Sequence, residues 1–374
     1  MAILHLIDPT TPRDALEMLA GLISPDPSRH GVLVLGHARF LRAAIRLGIP
    51  GDLLTHVHSM GWADPSTWRA VGRIVRQTTP AHVHAWGIRG IAAATMARHF
   101  TGQRIATFAG PPSDSQLKLL QHAHRRASWT WTAGSAFIQS QLAESGLPDV
   151  RLIRPAIAAA APLSPAAKAA LRKQIGITAG DSPIILIGGE HEPAATPRFA
   201  LWSAGILWQL FPHTRVIVRS EDEWSRPGPA ATRLFASKLP FAATSSPLTA
   251  FAPPELSWQI LVQLADIFLV TPSAPIATGS ILHAQAAGVP VIGTDISCVR
   301  EIVEHERTGL LARAGQPRSI TARLEEWLAR PETHEGILKS AREQIITTYA
   351  PQNMLNQFAA LTSQIQNHPH PLLQ

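Results

Sequence analysis

The segment Thr278-Gly279-Ser280-Ile281-Leu282-His283 sets a glycine and two hydroxyl residues at the opening of an apolar helical run. It follows the apolar run Ala265-Asp-Ile-Phe-Leu-Val270 and precedes Ala286-Ala-Gly-Val-Pro-Val-Ile-Gly-Thr-Asp295, so the stretch reads strand, loop, helix, strand. Thr278 or Ser280 can cap this helix by accepting a first-turn N–H. Gly279 lets a ligand approach the backbone closely. Gly288 falls where a left-handed residue ends a helix, and Pro290 follows it. The N–H groups of Ser280, Ile281 and Leu282, with the positive end of the helix dipole, would then suit a diphosphate. The bland alternative is an ordinary capped helix in a Rossmann-like domain.

Other residues invite chemistry more weakly. His82 and His84 lie two apart on an expected strand, hence on one face; His84 near its carboxyl end could contact an acceptor or donor, the alternative being a hydrogen-bonded structural histidine. Trp86 beside it could stack a sugar ring or belong to the core. Trp129 and Trp131 share a strand face and read as packing. His122 and His124 point to different faces of a helix and do not suggest a metal site. Glu190, His191 and Glu192 form a polar loop after Gly189, read as solvated. His368-Pro-His370-Pro reads as a disordered tail.

These residues need a scaffold. The chain has 374 residues, 45% hydrophobic and 16% charged, which suits two folded domains and excludes a disordered protein. Apolar runs at Ile3–Ile7, Gly31–Gly36, Ala81–Ala85, Arg104–Phe108 and Trp129–Ala133 alternate with helical stretches and close at Val150–Ile153. The series resumes at Ile184–Gly188 and continues through Arg215–Val218, Ile267–Val270 and Val289–Thr294, with helices expected at Arg198–Phe211, Ala230–Lys238 and Leu256–Leu264. Such alternation predicts α/β architecture: two Rossmann-like, doubly wound domains with parallel sheets, facing a cleft. The expected division is residues 1–155, 156–340, and a helical tail, 341–374, packing back on the first domain.

The formal charge of +7 favours anionic partners and allows peripheral contact with an acidic membrane surface, but no Lys/Arg block with interleaved aromatics suggests nucleic acid. The start of the chain reads as a strand and not as a signal peptide. A single cysteine, Cys298, fits a reducing, cytoplasmic setting. No Gly-x-Gly-x-x-Gly follows an early strand, which argues against a dinucleotide-dependent oxidoreductase.

Asp266–Ser273, Ala286–Asp295, Val299-Arg-Glu-Ile-Val303 and Arg307-Thr-Gly-Leu-Leu311 resemble the donor-binding half of retaining GT-B glycosyltransferases of the family 4 type. Leu171-Arg-Lys-Gln-Ile-Gly-Ile177, followed by the strand ending Gly188-Gly189, resembles that family's entry into its second domain. Val83-His-Ala-Trp-Gly87 and Trp131-Thr-Ala-Gly-Ser-Ala-Phe-Ile138 resemble strand ends of its first domain, and Leu152–Ile157 its interdomain junction. The resemblance implies sugar transfer from a nucleotide-sugar donor with retention and no obligatory metal or other cofactor; it leaves the acceptor open, a glycan or a lipid-linked group being compatible with the basic balance. It places the donor against Gly189, Arg198 and Thr278–His283. Asp295 and Glu301 match family positions that order the strand–helix loop.

The family's polar residues are largely replaced. Its two donor-site glutamates fall on Pro275 and His283; proline offers no polar side chain, and histidine cannot clamp a ribose with two oxygens. Its Arg falls on Glu190 and its Lys near Ala195, leaving Arg198 as the nearest cation. Its first-domain histidine aligns with Ala109, and its Gly-rich loop with Asp8-Pro-Thr-Thr-Pro12. Two functions compete: a transferase with a rebuilt site, and an inactive GT-B-like protein that binds a nucleotide, a glycan or a protein.

Overall fold

The computed structural model describes residues 2–97, 100–157, 161–189, 195–219, 235–237 and 248–367. The polar triplet Glu190–Glu192, most of the expected helix 230–238 and the tail histidines lie outside them. The chain divides into two units, residues 1–156 with 351–374, and residues 157–350.

The first unit is a seven-stranded parallel sheet in the order β3-β2-β1-β4-β5-β6-β7. Its strands are β1 (Ile3–Ile7), β2 (His30–Leu35), β3 (Leu54–Val57), β4 (His82–Ala85), β5 (Gln103–Phe108), β6 (Trp129–Ala133) and β7 (Arg151–Leu152). The connecting helices are α1 (Arg13–Ile23), α2 (Ala38–Arg46), α3 (Pro65–Thr78), α4 (Ile88–Met96), α5 (Asp114–Arg126) and α6 (Ala136–Glu144). Leu6, Leu33, Leu35 and Ala106 are wholly buried, because helices cover both faces of the sheet. Trp129 and Trp131 stack at 5.4 Å inside this core.

The second unit is a six-stranded parallel sheet in the order β10-β9-β8-β11-β12-β13. Its strands are β8 (Ile184–Ile187), β9 (Arg215–Arg219), β10 (Thr249–Ala252), β11 (Ile267–Val270), β12 (Val291–Thr294) and β13 (Leu310–Ala312). Its helices are α7 (Pro165–Gln174), α8 (Pro197–Trp208), α9 (Trp258–Leu261), α10 (Gly279–Ala287), α11 (Ser297–Arg300), α12 (Pro317–Ala329) and α13 (His334–Thr348). Both sheets are doubly wound, and the architecture is that of two Rossmann-like domains.

The last helix, α14 (Pro351–Asn367), belongs to the first unit. Gln357 Oε1 accepts the Arg154 N–H at 3.1 Å, and the Phe358 ring stacks on His84 at 5.3 Å. No helix among the described residues is long and apolar enough to cross a membrane.

Three strands escape a reading of apolar runs: β3, β10 and β13, each an outer strand of its sheet. Leu-Thr-His-Val in β3 is half to fully exposed, so it lacks the continuous apolar run that burial on both faces selects.

Gly288 ends α10 with φ +71°, and a Cβ there would lie 2.0 Å from the Arg342 Nη2 on α13. Gly288→Ala should therefore cost about 1–3 kcal/mol, from left-handed strain plus displacement of Arg342. Chemical denaturation of the two proteins side by side checks this.

Candidate functional site

A doubly wound sheet binds ligands beyond the carboxyl ends of the two strands where the winding reverses. In the second unit the chain runs from β8 outward to β9 and β10, then returns to β11 on the other side of β8. The switch point is therefore β8/β11. Gly188 and Gly189 follow β8, and the loop 271–278 follows β11 and leads into α10. A Cβ on Gly188 would sit 2.0 Å from the Phe268 ring, so only glycine lets β8 end here. Gly189 has φ +95° and donates its N–H to Ser280 Oγ at 3.2 Å. The two segments singled out from the sequence, Gly189 and the start of α10, thus meet at the switch point.

The surrounding loops are tied together by threonines. Thr196, the residue before α8, donates through Oγ1 to Thr271 O, and Thr271 Oγ1 returns a bond to Thr196 O at 3.2 Å. Thr294 Oγ1, at the end of β12, donates to Pro272 O at 2.7 Å. Asp295 follows and pairs with Arg300 at 2.7 Å, in accord with a loop-ordering role. Arg198 lies exposed in the first turn of α8 with its guanidinium over the Phe199 ring.

Several expectations for α10 are corrected. Neither hydroxyl caps the helix: Thr278 is the N-cap residue without a side-chain bond, and the Ser280 hydroxyl is used by Gly189. The Ile281 N–H donates to Thr278 O at 3.0 Å, so it is not among the amides offered to an anion. Ile281 and Leu282 side chains are core residues. His283 is buried, 5% exposed, and already engaged by a neighbour, so as placed it is not an open contact for a ribose. The first turn of α10 carries no acidic residue.

The acceptor-side expectation is corrected as well. His84 is fully buried and Trp86 is 3% exposed. His84 Nε2 lies 2.7 Å from Thr107 Oγ1, which lies 2.5 Å from Thr132 Oγ1, which donates to Ala106 O. With the Thr132 proton on the Ala106 carbonyl, the Thr107 proton goes to Thr132 and the ring donates from Nε2. That leaves His84 Nδ1 bare and without a partner. Trp86 Nε1 donates to His5 Nδ1 at 3.2 Å, so neutral His5 donates from Nε2 to His30 Nδ1, 2.9 Å away. Burial holds His84 far below the usual histidine range, at about 3, and pushes His5 well down too. These residues form an interior network. The stretch at Ala109 is also apolar: Ala109 is buried against Gly134.

A residue that the sequence left unexplained stands at the first unit's switch point, β1/β4. Asp8 follows β1 and is completely buried. Its Oδ2 accepts the N–H of Arg89 at 2.8 Å and of Gly90 at 3.2 Å. Its Oδ1 accepts Thr10 N at 2.8 Å and Thr10 Oγ1 at 2.5 Å, while Thr10 Oγ1 takes the Ile88 N–H at 3.0 Å. The N-terminus of α4 is thus filled by the chain's own carboxylate. Burial raises the Asp8 pKa, opposed first by the Thr10 hydroxyl. The available signal was an Asp directly after a first strand, together with Gly87 before a helix. Only the strand order brings them together.

Comparison with known proteins follows the same division. Residues 253–344 match the family model described as "Glycosyl transferases group 1". A D-inositol 3-phosphate glycosyltransferase from Thermobispora bispora is 31% identical over 175 residues, 45% of this chain and 40% of that protein. An N-acetyl-alpha-D-glucosaminyl L-malate synthase from Bacillus anthracis is 25% identical over 101 residues, 27% of this chain and 26% of that protein. The match spans less than half the length of either curated relative. The crystal structure of Anabaena Alr3699/HepE in complex with UDP-glucose superposes with a TM-score of 0.83 at 17% identity, covering 97% of this chain and 100% of that one. The chain therefore has the GT-B fold, and its segment 253–344 is the part that matches the group 1 glycosyl transferase model.

Proposed function

We propose that the chain is a retaining glycosyltransferase that takes its sugar from a nucleotide-sugar donor bound at the β8/β11 switch point. One observation carries the reading: Gly189 and Ser280 meet at the start of a helix whose first turn holds no acid and whose cap residue makes no side-chain bond. The backbone around Gly279 and Ser280 would receive the diphosphate, and Arg198 would reach it from the first turn of α8. Developing charge on the leaving diphosphate is stabilised by fixed dipoles that need no reorganisation. The UDP-glucose held by the Anabaena protein makes a uridine diphosphate sugar the first donor to try.

The acceptor would be a glycan or a lipid-linked group, met in the cytoplasm or at the inner face of a membrane. No resident cofactor is proposed. The test is transfer or donor hydrolysis across a panel of nucleotide sugars, with and without EDTA. Turnover that survives the chelator is expected. Arg198→Ala should weaken nucleoside diphosphate binding about tenfold, the share of one exposed charge-assisted contact.

A second reading, a GT-B protein that binds without turnover, is favoured by Pro275, by the buried His283 and by apolar Ala109. Calorimetry distinguishes the cases. Diphosphate binding with no turnover on any donor supports the second; absence of binding by a folded sample removes the first.

A further inference from the structure

Helix α3 contains no Asp or Glu, yet it carries three arginines: Arg69, Arg73 and Arg76. The α3 arginines stand at helical spacing on one exposed face, and none has an acidic partner among the described residues. Asp64, the acid at the helix start, is spent on the cap: it accepts Ser66 N at 2.9 Å, Ser66 Oγ at 2.6 Å and Thr67 Oγ1 at 2.9 Å.

A groove of about 620 Å³ runs beside these arginines, with Trp68, Met96 and Phe100 in its wall. The loop before α3 exposes Met60 at 77% and Trp62 at 55%. The Trp68 indole N–H holds this loop by donating to Trp62 O at 3.0 Å. The patch extends to the start of α2, where His58 meets His37, the residue before that helix, at 5.7 Å between rings.

A soluble face would intersperse acids among its arginines and would keep a tryptophan and a methionine off its loop tips. Arginines flanking exposed Trp and Met side chains, over a groove with apolar walls, match the layered chemistry of a bilayer surface: phosphate outside, acyl chain beneath. We propose that this face of the first unit, α3 with the 60–62 loop and the start of α2, docks on an anionic phospholipid bilayer. The arginines take the lipid phosphates, and Met60 and Trp62 enter the headgroup layer. The proposal stands independently of catalysis.

The test is co-sedimentation of the full chain with vesicles of phosphatidylcholine alone and with about one-third phosphatidylglycerol. Binding to the anionic vesicles only, weakening as salt rises, is expected. Each arginine near the surface should contribute about fivefold in affinity, so R69Q/R73Q/R76Q should bind roughly a hundredfold less tightly. Arg73→Gln alone should lose about fivefold, which keeps the test informative if the triple variant folds poorly. M60S/W62S should weaken binding with the salt dependence kept. Unaltered thermal unfolding shows that these exposed changes leave the fold intact. No binding to the anionic vesicles, or wild-type binding by the triple variant, overturns the proposal. So does complete competition by a soluble polyanion with M60S/W62S binding as tightly as wild type, which would mark a polyanion-binding face.

Discussion

Asp8→Ala should remove about 3–5 kcal/mol from the stability of the first unit, and Asp8→Asn about half as much. The alanine leaves Thr10 N, Thr10 Oγ1, Arg89 N and Gly90 N facing a dry space where two oxygens had accepted all four. An unsatisfied buried donor costs about 1–3 kcal/mol, with some relief from water entering the gap. Asparagine restores one oxygen, but its NH₂ must turn toward two donors. Urea or guanidinium denaturation, followed by a probe in the first unit, measures both. High concentrations of formate should raise the midpoint of Asp8→Ala selectively, by returning a carboxylate to the helix start. An asparagine variant as stable as wild type would show that the bonds matter less than their geometry suggests.

The result bears on function. Each sheet has one switch point, and each switch point has a helix start that would attract an anion. In the first unit that position is covalently filled: Asp8 occupies it, and a Cβ on Gly87 would approach Asp8 Oδ2 to 2.4 Å, leaving no room for a phosphate. In the second unit the equivalent helix start carries glycine, a serine bonded to Gly189, and no acid in its first turn. Under the proposed function, this asymmetry favours β8/β11 over β1/β4 as the place for the diphosphate.

Sequence periodicity reveals the interior strands well, because a strand buried on both faces must be apolar throughout. β6 at Trp129–Ala133 and β11 at Ile267–Val270 are read to the residue. It fails at β3 and β10, whose outer position relaxes that demand, and at β13, whose three apolar residues are too short a run to read. For the candidate site, glycine and helix-start chemistry singled out Gly189 and Ser280, which the fold brings into contact. What no local pattern could supply was their contact, which depends on β8 lying beside β11 across eighty residues of chain. His84 shows the opposite failure. A histidine at a strand end reads as a cleft residue, but here β4 is central and α14 returns over two hundred residues later to cover it with Phe358. Asp8 was hidden for the same reason: its partners lie eighty positions away.

Acidification should unfold the first unit well before its carboxylates titrate. His5 and His84 are held neutral in the fold, with pKa values depressed by burial, for His84 to about 3. The partly buried His30 and the buried His82 are lowered in the same direction, also by burial first. In the unfolded chain each ring titrates near 6.5. The sign follows: above about pH 6.5 neither state binds the proton, and the neutral cluster contributes its full stability. As the pH falls below that, the unfolded chain takes up protons that the fold refuses, and stability drops by about 1.4 kcal/mol per pH unit for each such ring. The hydrogen bonds give the reason. A proton on His84 Nδ1 finds no acceptor, and one on His5 Nδ1 must displace the Trp86 N–H. Denaturation midpoints between about pH 7.5 and pH 4.5 should therefore decline with the slope of two to four protons. His84→Gln keeps a donor toward Thr107 but does not titrate, so it should be less stable at neutral pH yet flatten the slope by about one proton. An unchanged slope would remove His84 from the account. Because Phe358 lies on the His84 ring, loss of the cluster should free helix α14 in the same step, and its peptide bonds should become open to protease over the same pH range.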